Sequence, residues 1–248
     1  MKRTIWLVVF GVLVFVGIVI ARLPASWVLP GPKAGIACSD AAGTVWSGVC
    51  TGFTVQNQPV GDLSWELHAA RLLSGKVNAD IVVTRPAGTA RGNVESGFDN
   101  KVVARDVVLD LPIGPDLAAA LGPNLSGLRG KVHAQIAYLL IDSHQAIRAV
   151  EGVVEVHDLT DGTRQWGSYS VTFPPPTAGV PVGQLKDLGT GPLAVEGALK
   201  LTASPPGFDV QGLVAARPSA PPELAQDLRV LGSPDAQGRR PFSFESTF

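Results

Sequence analysis

Apolar and polar positions fall into two regimes along this chain. From Ile5 to Ala21 it reads IWLVVFGVLVFVGIVIA, 17 positions without a charge. A helix over such a run covers roughly 26 Å at about 1.5 Å per residue, close to the thickness of a bilayer core. Thr4 and a snorkelling Arg22 make up the remainder. The rival is a cleaved signal peptide, whose apolar region is about 7–15 residues and ends at a small-x-small site. Here the run ends in Arg22-Leu23-Pro24, so the pattern predicts an uncleaved transmembrane anchor over 5–22. Lys2 and Arg3 precede it and place residues 1–4 in the cytoplasm and the bulk of the chain outside.

Beyond the anchor the period drops to two. Pro24, Pro30 and Pro32 exclude a continuous helix, so 23–42 reads as a proline-rich link. In KVNADIVVTRP, Val77, Ala79, Ile81 and Val83 alternate with other residues, which predicts a strand with one buried face. Similar runs recur between Gly48 and Arg217, bounded by Gly, Pro, Asp or Ser, with turns at Asn57-Gln58-Pro59, Pro86-Ala87-Gly88 and Asp99-Asn100. Thr172–Gly183, with three consecutive prolines, reads as a rigid loop outside the sheet. Two short helices interrupt the strands. GPDLAAALG (Gly114–Gly122) and PPELAQDLRVLG (Pro221–Gly232) each carry Pro and an acid at the start and Gly at the end. The predicted fold is mainly β: a transmembrane helix, then an extended, curved antiparallel meander with two short helices, as one domain over 43–248.

Glycines mark one place where a large ring must turn with the chain. In GTVWSG, Gly43 and Gly48 permit a tight reversal, and Val45 and Trp46 give the turn something to bury. This reads as a fold determinant, with Trp46 as a partner-facing residue the alternative. The tail GRRPFSFESTF alternates Phe242 and Phe244 and ends at Phe248. It either closes the sheet with its rings in the core or offers an open edge to a partner. Arg239 and Arg240 stand ready to pair with a carboxylate such as Asp235.

Composition narrows the chemistry. The chain has two cysteines, Cys38 and Cys50, both in the part expected outside the cytoplasm. They read as one disulfide, the alternative being two separate buried thiols. A metal site does not fit the spacing, and no soft ligand lies near. Taking Lys2, Arg3 and Arg22 from the net charge of −1 leaves −4 on the outer part, with no basic face for nucleic acid. His68, His133, His144 and His157 have no helical i, i+4 pairing, and Ser47 lacks the glycine pattern of a nucleophile elbow. No catalytic, cofactor-binding or metal-binding residue is expected, and the protein is not read as an enzyme.

Taken in order, RLPASWVLP, GTVWSG, VGDLSWELHAARLLSGKVNADI and LRVLGSPDAQGRRPFSFESTF resemble the type II secretion system protein N family over almost the full length. The positions that carry the resemblance are Gly43, Thr44, Trp46 and Gly48, then Trp65, then Leu72, Leu73 and Gly75, and finally Gly232 and Gly238. His68 stands where a proline is expected, and the cysteine pair is not a general family feature. The resemblance implies a single-pass bacterial inner-membrane protein with a periplasmic β-rich domain. It implies a part in exporting folded proteins across the outer membrane through contacts with the inner-membrane assembly platform or the secretin, without enzymatic activity or cofactor. The domain is also similar to AsmA-like envelope proteins, which makes an apolar lipid-binding groove the alternative function and lipid a possible partner.

Overall fold

The computed structural model describes residues 2–27, 35–55, 58–114, 127–177 and 179–247. The helix expected over 114–122, the centre of the turn at 56–57 and Phe248 lie outside them. The chain divides into two compact units, Met1–Pro86 and Ala87–Phe248, where the sequence shows only a turn. The described residues form fourteen strands, and the registered pairings are antiparallel. The mainly β, meandering class expected from the alternation is therefore present.

The first unit opens with helix α1, Lys2–Ala21. Among the described residues no helix is long and apolar enough to cross a membrane. The side chains of residues 2–5, 7–9 and 13 of α1 lie outside the described ones, so the expected span over 5–22 falls only partly within them. Strand pairing begins before residue 43, inside the stretch read as a link. β1 (Ile36–Ala37) and β2 (Asp40–Gly43) both pair with β3 (Ser47–Val55), β1 against its end and β2 against its start. β3 pairs with β4 (Gln58–Leu67), and β4 with β5 (Val77–Arg85). The run over 60–70 reads as one strand, but β4 stops at Leu67, and Ala69–Leu72 turns into one helical turn, α2. Ala, Arg and Leu are strong helix formers, and no strand lies opposite to hold them extended.

The second unit is a meander in chain order: β6 (Gly88–Ser96), β7 (Val102–Ile113), β8 (Arg129–Ile141), β9 (Ile147–Thr160), β10 (Gln165–Phe173), β11 (Val182–Asp187), β12 (Leu193–Ala203), β13 (Pro206–Ala216) and β14 (Arg240–Thr247). β11 corrects the reading of Thr172–Gly183 as wholly outside the sheet. It starts at Val182 and is held from both sides by β10 and β12, a support no local pattern reveals. The second expected helix is present as α3, Pro222–Asp227, with Pro222 in its first turn and Glu223 beside it. A 3-10 turn at Leu228–Val230 continues it, and Gly232 ends it at a positive φ of 74°.

Two apolar clusters hold this unit. Val150, Phe173 and Leu201 are the buried centre of one, with Leu139, Leu199 and Phe208 among its flanks. Gly183 makes this possible, because a β-carbon there would lie 2.8 Å from the Phe173 ring. Leu193, Val214 and Leu224 centre the other, with Trp166, Leu231 and Phe242 against it. The clusters sit toward opposite ends of β12, and α3 covers the second through Leu224. Odd-numbered β12 residues face these cores while Glu196, Ala198 and Lys200 are exposed, the two-residue period of a half-solvated sheet.

Candidate functional site

In the first unit, the family-motif residues converge on the turn between β2 and β3. Gly43 adopts φ of 96°, and a β-carbon on it would meet the Ser47 carbonyl at 2.5 Å, so only glycine fits. Thr44 closes the turn: its N–H donates to the Ser47 carbonyl at 2.8 Å, and its Oγ1 accepts from the Ser47 N–H at 3.2 Å. Gly48 lies opposite Trp65, whose ring occupies the space a β-carbon would need. The Trp65 indole N–H donates to the Val45 carbonyl at 3.1 Å.

The same turn holds the end of α1. The Trp46 indole N–H donates to the Ile20 carbonyl at 2.9 Å, and the Val45 N–H donates to the Leu23 carbonyl at 2.9 Å. Pro24 bridges Thr44. The last carbonyls of a helix lack intrahelical donors, and Trp46 supplies one to Ile20. Trp46 is thus a half-buried structural residue bonded to α1.

Cys38 and Cys50 are joined, with a Cα–Cα distance of 5.6 Å that suits a disulfide. Cys38 sits between β1 and β2, and Cys50 is fully buried in β3, so the bond fastens the interrupted edge to the strand it pairs with. Leu72 and Leu73 take no place in a core: Leu73 is 94% exposed. Gly75 ends their turn at φ of 72°.

In the second unit, the predicted C-terminal positions form β14 and the loop before it. Asp235 Oδ1 accepts from the N–H groups of Gln237 and Arg239 at 2.9 and 2.8 Å, and Arg239 Nε donates to Oδ2 at 2.9 Å. Burial works to raise the Asp235 carboxyl, but these donors outweigh it and hold the group below the usual range. Arg240 donates instead to the Gly232 carbonyl. Gly238 supplies a positive φ of 77° at the return. Phe242 packs into the cluster around Leu193, Val214 and Leu224. Phe244 is 44% exposed, its ring centroid 5.8 Å from that of Phe208. The tail therefore both closes the sheet and forms an edge.

β14 pairs only with β13 among the described residues, in unbroken register from Val214↔Arg240 to Gly207↔Thr247. Pro241 has no N–H, so its nitrogen belongs on the side away from β13. Alternation then puts the backbone N–H groups of Ser243, Glu245 and Thr247 on the outer edge. Pro241 in an alternating tail is the sequence signal for this edge.

A cleft of about 940 Å³ opens nearby, lined by the turns at 163–166, 189–192 and 217–221 together with Glu223 and Leu224. Its cations are already matched. Arg217 bonds Asp187, and Arg164 Nη1 lies 3.2 Å from Asp227. Burial and the nearby Asp187 charge raise the Tyr169 hydroxyl, which donates to the Trp166 carbonyl at 2.7 Å. The histidines are dispersed: His68 bonds Asp80 at 2.8 Å and His157 bonds Glu155 at 2.9 Å. Among the described residues, no group of three His, Cys, Asp or Glu could hold a metal ion.

The family model for type II secretion system protein N matches residues 34–243. The chain belongs to that family. Type II secretion system protein N of Aeromonas hydrophila is 24% identical over 264 residues, covering 99% of both chains. Type II secretion system protein N of Vibrio cholerae serotype O1 is 26% identical over 253 residues, covering 98% of both. No solved structure gives a significant match. The stretch matched to the protein N family takes in the β2–β3 turn, the disulfide, the Leu72–Leu73 turn and β14 as far as Ser243.

Proposed function

We propose that this protein is a component of a type II secretion system that works by protein–protein contact, not by catalysis. Its part is in the export of folded proteins from the periplasm across the outer membrane. In this reading α1 anchors the chain in the bacterial inner membrane with the N-terminus in the cytoplasm, and both β units lie in the periplasm. The charge-free run over 5–21 supports the anchor, as do the large apolar side chains that α1 leaves in the open, Trp6, Phe10, Phe15 and Ile18 among them. The Cys38–Cys50 disulfide supports an oxidising compartment.

The observation that carries the contact mechanism is the outer edge of β14, with its row of backbone groups and the exposed ring of Phe244. An extended segment of the assembly platform or the secretin adds to this edge as a further strand. The lipid-groove alternative gains nothing from the family match, and Leu224 and Leu231 occupy the apolar face at one end of the second unit. The test is a double substitution, Ser243→Pro and Glu245→Pro, which removes outward N–H groups and leaves the β13 ladder intact. The variant is expected to fold and to lose co-purification with platform or secretin from native membranes. A folded variant that keeps every partner overturns the strand-addition reading.

A further inference from the structure

The end of the first unit where α1 arrives carries an exposed apolar turn. The Leu67 N–H donates to the Trp46 carbonyl at 2.6 Å, so the connection after β4 starts beside the turn that grips Ile20 and Leu23. That connection closes on itself. Ser74 and Gly75 donate their N–H groups to the carbonyls of Arg71 and Leu72, each at 3.0 Å, and the Ser74 hydroxyl reaches the Arg71 carbonyl at 2.7 Å. The turn is ordered by its backbone and still holds its leucines outward. Leu73 is 94% and Leu72 40% exposed, with Val77 exposed just beyond. Arg71 and Lys76 flank them, and no acid stands between Ala69 and Lys76. At the same end, Trp27 in the turn that follows α1 is 77% exposed.

We infer that the Ala69–Lys76 turn sits in the headgroup layer of the bilayer that α1 crosses, with Leu72 and Leu73 inserted and the basic groups toward lipid phosphates. The inference rests on the membrane anchor proposed above. Three observations favour a lipid surface over a protein partner: continuity with the α1 exit, the basic flanks, and a tryptophan in the same region. Apolar side chains with Lys, Arg and Trp around them are the composition of an interfacial segment. A chain gripped at Ile20 by Trp46 and dipped at Leu73 meets the membrane at two points, which restrains how the first unit tilts.

The test uses the full chain reconstituted in phosphatidylethanolamine–phosphatidylglycerol vesicles, with its native cysteines left in their disulfide. An environment-sensitive fluorophore is attached at Leu73→Cys or, as a control, at Gln58→Cys, which lies at the other end of β4. Flotation with the vesicles reads the anchor. Quenching by doxyl-labelled lipids reads the turn. The expected result is flotation of both proteins, with quenching severalfold stronger at position 73 than at 58. Flotation with equal, weak quenching at both positions overturns the inference and leaves the leucines to a protein partner. Failure to float overturns the anchor reading and this inference with it, so the two failures are separately visible.

Discussion

At Gly48 a β-carbon would lie 2.4 Å from the Trp65 ring and 2.9 Å from the Ala42 carbonyl, so both a ring and the facing backbone stand in its way. Gly48→Ala is expected to cost about 1–3 kcal/mol by overpacking, read as a lower urea midpoint for the full chain in detergent. Trp46 acts differently, through a bond to a helix end as well as through packing. Trp46→Phe keeps most of the ring but removes the shorter of the two hydrogen bonds to the Ile20 carbonyl, which keeps only the Leu23 N–H at 3.4 Å, with an expected loss of about 1 kcal/mol. Asp161 offers a pH signature in the β9–β10 turn. The Arg164 N–H, then the Thr163 hydroxyl and N–H, bond its carboxylate and bring its pKa to about 2 from 3.8. Because the folded pKa is depressed, its contribution is fully present above the ordinary value and is lost as pH falls through about 2. Carboxyl NMR should show that group titrating near 2, and an inflection near 4 would contradict the geometry.

Among the elements, β14 and α3 divide the work of closing the second unit. Leu224 is the buried residue of α3 and touches the Leu193 and Val214 cluster. Leu224→Ala is expected to cost about 2–5 kcal/mol and to loosen α3 first, seen as faster amide exchange from Glu223 to Val230. β14 lends one face to that core through Phe242 and one edge to solvent, which is why the proline variants are better probes than deleting the tail. In the first unit, the disulfide secures strands too short to hold themselves, since β1 has only 2 residues. Cys38→Ser is expected to cost about 2–4 kcal/mol, and reductant should destabilise the unaltered protein by a similar amount while leaving the variant unchanged.

For the whole molecule the decisive property is topology. A periplasm-dependent reporter placed after residue 248 is expected to be active, and the envelope protein to retain its first residues on mass analysis. Loss of the first twenty-odd residues would remove α1 and the carbonyl that Trp46 holds. The chain divides into two compact units at Pro86–Ala87, and limited proteolysis is the natural test of whether that junction is also a boundary of stability.

The alternation of apolar positions by itself determined the strand-rich class and most of the strands from Gly48 to Ala216, because a half-solvated antiparallel sheet writes its period into every strand. Other local signals determined α3, through Pro222, Glu223 and Gly232, and cysteine usage pointed to the Cys38–Cys50 pair. Tertiary structure alone decided the rest. β11 is a strand because β10 and β12 hold it on both sides, not because Val182–Asp187 is a strong strand sequence. β1 and β2 exist because β3 offers them a partner. The Leu72–Leu73 turn was legible only as a stretch of the family resemblance; its backbone bonds close it upon itself and leave the leucines outside, which no local pattern announces. Trp46 was legible as a residue to be buried, but its partner lies 26 positions away at the end of α1. Local patterns record which face of an element is apolar, whereas the identity of what covers that face depends on contacts between residues far apart in the chain.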